Sequence, residues 1–340
     1  METQKNIVES FSIYTEAELK NIAKYGKSEA IKEAAKIALI TYFPSEKIME
    51  YLMPQGISDN VKIKIEMSLI EHFPSEDALR YLAMHGKTNN IAQSAFDALK
   101  NPSEETKGTL AWLGKTEEIA QSAFDALVKP SEKTLTWLAG RGKTSNIAQS
   151  AFDALKNPSE QTLSDIAKNG KTNEIAQSAF DALKNPSDHT LSEIAMYGKT
   201  NVIAKAAFDA LKNPSEHTLT EIAKHGKTNE IAQSAFDALK NPSQETLIHL
   251  AEDVKNKNIA QSAFNSLKNP SEQTLEHIAH WAQEKSVKIL AEIARIKYFA
   301  SEKTLKHLAI CGKSESVRKL AKDMLDKKLV KISHLIDIGR

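Results

Sequence analysis

Apolar residues in this chain recur as two short stripes joined by a polar loop, and the pair repeats. In the stretch beginning at Ser159, Leu163, Ile166 and Ala167 fall at i, i+3 and i+4, the spacing of one face of a short helix. After Gly170-Lys171-Thr172 the apolar positions resume at Ile175, Ala176, Ala179, Phe180 and Leu183, a second helical face. Pro158 lacks a backbone N–H and ends the preceding helix, so Ser159 is placed to cap the first helix and Thr172 the second. Gly170 is expected to take the left-handed conformation that commonly closes a helix, and Asn185-Pro186 ends the unit. No stretch alternates apolar and polar residues with the period of a strand.

Counted from its capping residue, the unit starts at Thr15, Ser45, Ser75, Ser103, Ser131, Ser159, Ser187, Ser215, Ser243, Ser271 and Ser301. Steps from Ser75 to Ser271 are 28 residues; the two before and the one after are 30, and these longer units end in Phe43-Pro44, Phe73-Pro74 and Phe299-Ala300. A period of this size marks stacked units rather than separate globular domains. The expectation is all-α: a right-handed α-solenoid of about eleven two-helix repeats, forming one domain over residues 15–328. An N-terminal segment precedes it at 1–14. The units at 15–74 and 271–328 read as capping repeats, and Leu329, Ile332, Leu335 and Ile336 predict a closing helix within 329–340.

The Asn-Pro-Ser, Leu-x-x-Ile-Ala and Ala-Phe-Asp-Ala-Leu elements resemble HEAT-type helical repeats, and the Asn-Pro junction is similar to that of variant leucine-rich repeats. The second helix reads as longer than the variant leucine-rich family would give, which favours the HEAT-type description. The resemblance implies a fold and an extended surface suited to protein partners. A fold does not by itself assign a function.

Comparing the copies separates fixed positions from varying ones. Ile-Ala-Gln-Ser-Ala-Phe begins at Ile91, Ile119, Ile147, Ile175, Ile231 and Ile259. The tenth residue after the cap is instead Tyr25, Gln55, His85, Leu113, Arg141, Asn169, Tyr197, His225, Asp253, Trp281 and Cys311. The ninth is as mixed, with Met84, Trp112, Gly140, Lys168, Met196, Glu252 and His280. Drift at exposed loop tips is one account of this. The other is a recognition row, because Trp, Tyr and Arg dominate binding hot spots. The candidate partner-binding residues are Tyr25, His85, Trp112, Trp137, Arg141, Asn169, Tyr197, His225, Asp253 and Trp281.

Charge adds a second candidate feature. Lys follows the Gly position in most units, and Lys87, Lys115, Lys143, Lys171, Lys199 and Lys227 each precede a helix N-terminus, a setting that binds anions. Gly-Lys-Thr here is not a phosphate-binding P-loop, since the upstream glycine spacing and the preceding strand are missing. With 45 basic and 44 acidic residues the chain has net charge +1, which gives no global attraction to nucleic acid. Residues 283–340 are locally basic, with 14 Lys or Arg against 7 Asp or Glu. One cysteine, Cys311, excludes an internal disulfide, and neither a signal peptide nor a membrane span is read, so the expectation is a cytoplasmic protein.

Nothing composes an active site. Histidines at matching repeat positions, such as His249, His277 and His307, form a ladder and cannot converge on one metal. His277 and His280 beside Glu276 are the best local metal set but lack a fourth ligand. We therefore expect no enzyme, no metal and no cofactor. The leading reading is a scaffold that binds a protein or peptide along the first helices and inter-helix loops. The alternative is a nucleic-acid reader, because the variable pair before Gly-Lys resembles the layout of transcription-activator-like effector repeats. This repeat is several residues shorter than theirs.

Overall fold

The computed structural model describes residues 2–52 and 57–338, and among these there is no strand. After a helix at Glu2–Ser10 and a 3-10 turn at Phe11–Ile13, the remaining helices follow as eleven consecutive pairs, one pair per repeat. The fold is an all-α repeat solenoid of two-helix units. Gln55, at the tenth position of its unit, lies outside the described residues.

One inner repeat shows why the sequence folds this way. The Ser131 side chain accepts from the Thr134 N–H and starts a first helix, Glu132–Arg141; Thr144 accepts from the Ile147 N–H and starts a second, Ser145–Asp153. Each cap satisfies a donor that the helix cannot. Leu135, Leu138 and Ala139 are buried from the first helix, and Ile147, Ala148 and Ala151 from the second. Alanine at these contacts lets the helix backbones approach closely.

Three local expectations are corrected. Leu183 lies beyond its helix, which ends at Asp181, so the second helix is nine residues long and no longer than the first. The Phe of each inner second helix, Phe124 and Phe236 among them, is only half-buried, so the fully buried Ile and Ala residues form the centre of the core. The glycine and asparagine roles are also exchanged. Gly170 has φ −47° and ψ 141°, an extended conformation open to any residue. The left-handed residues are at the other junction: Asn101, Lys129, Asn157, Asn185, Asn241 and Asn269, with φ between 50° and 55°. Asparagine tolerates that region better than most side chains.

The 30-residue units end differently. Their second helices run 14 residues, Glu29–Tyr42, Asp59–His72 and Lys285–Tyr298, and stop at Phe43, Phe73 and Phe299 with φ near −130°. The extra turn extends the apolar face. Near the N-terminus Phe11, Leu19, Leu39, Ile48, Leu52 and Val61 form one buried cluster, with Ile7 and Val8 of the first helix packed against it. Near the C-terminus Ile296, Leu305, Leu308, Val317 and Ala321 form another. Residues 329–338, read from the sequence as a separate closing helix, continue the helix Glu315–Ile338.

By internal contacts the chain divides into two compact units, residues 1–166 with 170–176, and residues 167–169 with 177–340. The sequence leads instead to one array over 15–328. The division falls inside the repeat beginning at Ser159, where the 28-residue pattern continues without interruption.

Candidate recognition surface

Two ladders stitch neighbouring repeats, and both use residues that had looked like free surface chemistry. The first runs through Gly-Lys-Thr. The backbone N–H of Lys115, Lys143 and Lys171 donates to the carbonyls of Ala83, Ala111 and Ala139 in the preceding repeat at 2.9, 3.0 and 2.9 Å. In the second unit Lys199 and Lys227 do the same to Ala167 and Ala195, at 2.9 and 3.2 Å. Glycine makes this approach fit: a Cβ on Gly142 would lie 2.9 Å from Ile147 Cγ2 and 3.0 Å from the Ala148 nitrogen. Lys87 donates its N–H to Glu66 at 2.8 Å, and its ammonium meets Asp59 at 2.7 Å. The six candidate anion-binding lysines thus have their backbone donors already engaged. What these lysines can still offer a ligand is the ammonium group, which at Lys87 is already paired with Asp59 and at Lys171 reaches the Lys143 carbonyl at 3.4 Å.

The second ladder explains Ser-Glu-x-Thr. The Glu104 carboxylate, at the start of one first helix, accepts from the Ser131 N–H (2.9 Å), the Ser131 hydroxyl (2.8 Å) and the Thr134 hydroxyl (2.6 Å) of the next repeat. Glu132 accepts from Ser159 and Thr162, and Glu216 from Ser243 and Thr246. These donors favour the ionised form. The Ser103 hydroxyl and N–H hold the Glu76 carboxyl down at about 2, and Glu104, Glu132 and Glu216 are lowered chiefly by Thr134, Thr162 and Thr246. Sequence reasoning missed this clamp, although its signal was present as Glu and Thr recurring together one and three residues after the cap.

The ninth position is not free either. At three junctions it pairs with the sixth position of the following repeat, 25 residues on. Trp112 meets Trp137 edge-to-face with ring centres 4.6 Å apart, Lys168 bonds Glu193 at 2.7 Å, and Glu252 bonds His277 Nδ1 at 2.6 Å. These are aromatic with aromatic, cation with anion, and buried carboxylate with imidazole. The tenth position is the outward one. Each described residue there is exposed: Tyr25, His85, Leu113, Arg141, Asn169, Tyr197, His225, Asp253, Trp281 and Cys311.

Within the first unit the candidate residues assemble in part. Arg141 lies over both indoles, its guanidinium carbon 5.7 Å from the Trp112 ring centre and 6.0 Å from that of Trp137. A cavity of about 620 Å³ opens beside Trp137, lined by Glu104, Glu105, Gly108, Thr109, Ser131, Lys133 and Thr134. His85 stands apart from this cluster and packs on Tyr81 at 4.8 Å, while Tyr25 carries Lys24 5.0 Å from its ring centre.

In the second unit the equivalent groove between successive first helices is acidic and histidine-rich. A cavity of about 460 Å³ is lined by Glu216, His217, Thr220, Glu221, Lys224, Glu245 and His249, among others. Lys224 bridges to Asp253 at 3.2 Å, and His225 lies 3.9 Å from Glu221. Trp281 is 61% exposed and flanked by His280 and His277, with ring centres 4.7 and 6.3 Å away. Among the described residues no three His, Cys, Asp or Glu side chains gather as a metal site. No helix there is long and apolar enough to cross a membrane. No protein-family model matches the chain, and no curated protein matches it.

Proposed function

We propose that this protein is a non-enzymatic scaffold that binds a protein or peptide through the exposed faces of its first helices and the loops that follow. One observation carries the reading: positions of equal exposure have changed at very different rates among the copies. On the second helix, Ser94, Ser122, Ser150, Ser178 and Ser262 are exposed and the same, with Ala206 the departure; so are Asp97, Asp125, Asp153, Asp181, Asp209 and Asp237, each accepting from the residue four before it, with Asn265 the departure. Those copies have had as long to drift as any other part of the repeat. The exposed tenth position has meanwhile become Tyr, His, Leu, Arg, Asn, Asp, Trp or Cys. Drift at one common rate does not produce both, whereas diversification of a contact surface on a fixed frame does.

Two true α-helices in each repeat support the HEAT-type resemblance, and the lone, exposed Cys311 suits a cytoplasmic setting. The nucleic-acid alternative is weaker, because the Gly-Lys N–H groups are engaged and the first-helix grooves carry carboxylates that repel phosphate. The test is a pull-down of native partners with Arg141, Tyr197, His225 and Trp281 changed to Ser, against a control set of Lys156, Lys184, Lys212 and Lys240 changed to Ser. Partner recovery should fall in the first set alone, with helical circular dichroism unchanged in both. Equal recovery in both sets returns the tenth position to drift. Sub-micromolar binding of random duplex DNA at physiological salt would instead favour the nucleic-acid reading.

A further inference from the structure

The groove between the first helices Glu104–Leu113 and Glu132–Arg141 has a chemistry that selects its ligand. Lys133, Trp137 and Arg141 follow one another at four-residue steps, so they form one stripe along the second of these helices. At 1.5 Å per residue the Lys133 and Arg141 backbone positions are about 12 Å apart along the axis, with Trp137 midway, and the Arg141 guanidinium carbon lies 6.0 Å from the Trp137 ring centre. Across the groove stands Gly108, inside a helix where glycine costs stability. Every other described repeat has a side chain at this position, Thr136, Ser164, Ser192, Thr220 and Ile248 among them. A Cβ on Gly108 would meet only Thr134 Cγ2, at 3.4 Å. Packing therefore does not require this glycine, and its effect is to leave open the cavity of about 620 Å³ beside Trp137.

The charges are just as uneven. Neither Lys133 nor Arg141 has a carboxylate partner among the described residues. Arg141 is held instead over Trp112 and Trp137, which orients its fork of donors without consuming them. Of the two acidic residues that line the cavity, Glu104 accepts three donors from Ser131 and Thr134, and Glu105 is exposed to solvent, 3.9 Å from Arg80.

Building on the scaffold reading above, we propose that this groove docks an acidic peptide segment. An apolar or aromatic side chain of the segment enters beside Trp137 over Gly108, and a carboxylate on either side meets Lys133 and Arg141. In an extended peptide, residues four apart span about 13 Å, comparable to the axial offset of the Lys133 and Arg141 positions, and both long side chains can swing to meet a carboxylate. A single-stranded nucleic acid fits less well, since its evenly spaced phosphates would pass the Glu104 and Glu105 carboxylates that line the same wall.

The full chain is panned against a phage-displayed library of random dodecapeptides. An enriched acidic–apolar–acidic pattern is expected, and a selected peptide, labelled with fluorescein, is then titrated by anisotropy. Arg141→Gln and Lys133→Gln should each weaken it at least fivefold. Gly108→Leu, which fills the gap at a position where other repeats already carry side chains, should weaken it at least tenfold without loss of helical circular dichroism. The amide version of the peptide, with Gln for each acidic residue, should bind at least tenfold more weakly. Enrichment of neutral or basic peptides overturns the proposal, as does no enrichment or binding that ignores Gly108→Leu. A labelled oligothymidylate that binds wild type and is lost in Gly108→Leu assigns the groove to nucleic acid instead. Failure here with loss of native partner in the tenth-position Ser set leaves the scaffold standing and refutes only this ligand. Retention of partner in that set refutes the tenth-position surface of the scaffold reading.

Discussion

The Gly-Lys loop gives the sharpest test of how the repeats are joined, through Gly142→Ala. The backbone at Gly142, with φ −43° and ψ 141°, accepts any residue, so conformational strain contributes nothing. The added methyl group, however, would sit 2.9 Å from Ile147 Cγ2, 2.9 Å from the Leu138 carbonyl oxygen and 3.0 Å from the Ala148 nitrogen. Ile147 and Ala148 are fully buried and the Leu138 carbonyl belongs to a helix, so none of the three can give way cheaply. Overpacking of this kind costs about 1–3 kcal/mol. If the loop relieves it by moving outward, the Lys143 N–H loses its 3.0 Å bond to Ala111, worth roughly 0.5–1.5 kcal/mol. Replacing glycine also restricts the unfolded chain, which returns about 0.4–1 kcal/mol. The net expectation is a destabilisation of about 1–3 kcal/mol, dominated by packing.

The chain carries its own version of the experiment. The ninth and tenth repeats have Val254 and Ala282 where the others have glycine, and the ladder is altered at both. Lys255 makes no bond to a preceding Ala carbonyl among the described residues, and the Gln283 N–H bonds Glu252, one residue out of register, at 2.7 Å. Gly142→Ala should therefore lower the urea midpoint and selectively speed amide exchange at Lys143. Gly108→Ala serves as the opposite control, since its methyl group would meet only Thr134 Cγ2, at an ordinary contact distance of 3.4 Å, and should stabilise the helix by about 0.5–1 kcal/mol. Unchanged stability with full protection of the Lys143 amide would refute the close-approach account. Tolerance of Asn but not Ala at position 142 would point back to a left-handed glycine.

Acid should loosen the junctions between repeats before it reaches the core. Folded Glu76, Glu104, Glu132 and Glu216 titrate below the ordinary value of 4.5, so the stability they contribute is present above that pH and is lost on acidification, towards about 2 for Glu76. Urea midpoints measured from pH 6 downward should fall through this window. Glu76→Gln should start from a lower midpoint and fall less, and a wild-type midpoint flat from about pH 4.5 to 2 would contradict the clamp. At the other junction, Asn157 with φ 51° should tolerate Gly with little change, whereas Asn157→Ala should cost about 1 kcal/mol in the same assay. Equal stability of the Gly and Ala variants would show that φ is not what selects Asn there.

Helix type, repeat number, capping residues and the exposed tenth position were legible in the sequence because each depends on local spacing or on comparison between copies. What was not legible lies between repeats. Gly170 and Asn185 both sit at helix ends, and one-dimensional reasoning gives the left-handed role to glycine by default. Only the approach of the next helix, with the Ala176 nitrogen 3.0 Å from a hypothetical Gly170 Cβ, shows that glycine is kept there for space. Asparagine, whose short amide tolerates positive φ, is then left to make the turn before proline. The same blindness hid Glu104, whose partners Ser131 and Thr134 lie 27 and 30 residues away.

A signal for those contacts was nonetheless present, at an offset that a search for matching positions overlooks. Equivalent residues in successive copies are 28 apart, but residues that touch across the ninth and sixth positions are 25 apart. Trp112 with Trp137, Lys168 with Glu193 and Glu252 with His277 are each chemically matched at that offset. At these three junctions variation at the ninth position is therefore constrained by a lateral neighbour within the chain. The tenth position meets a lateral neighbour at two junctions, Arg141 over Trp112 and Asp253 with Lys224, each 29 residues apart, yet every described residue there stays exposed, and that exposure makes the tenth position the better guide to what the surface recognises.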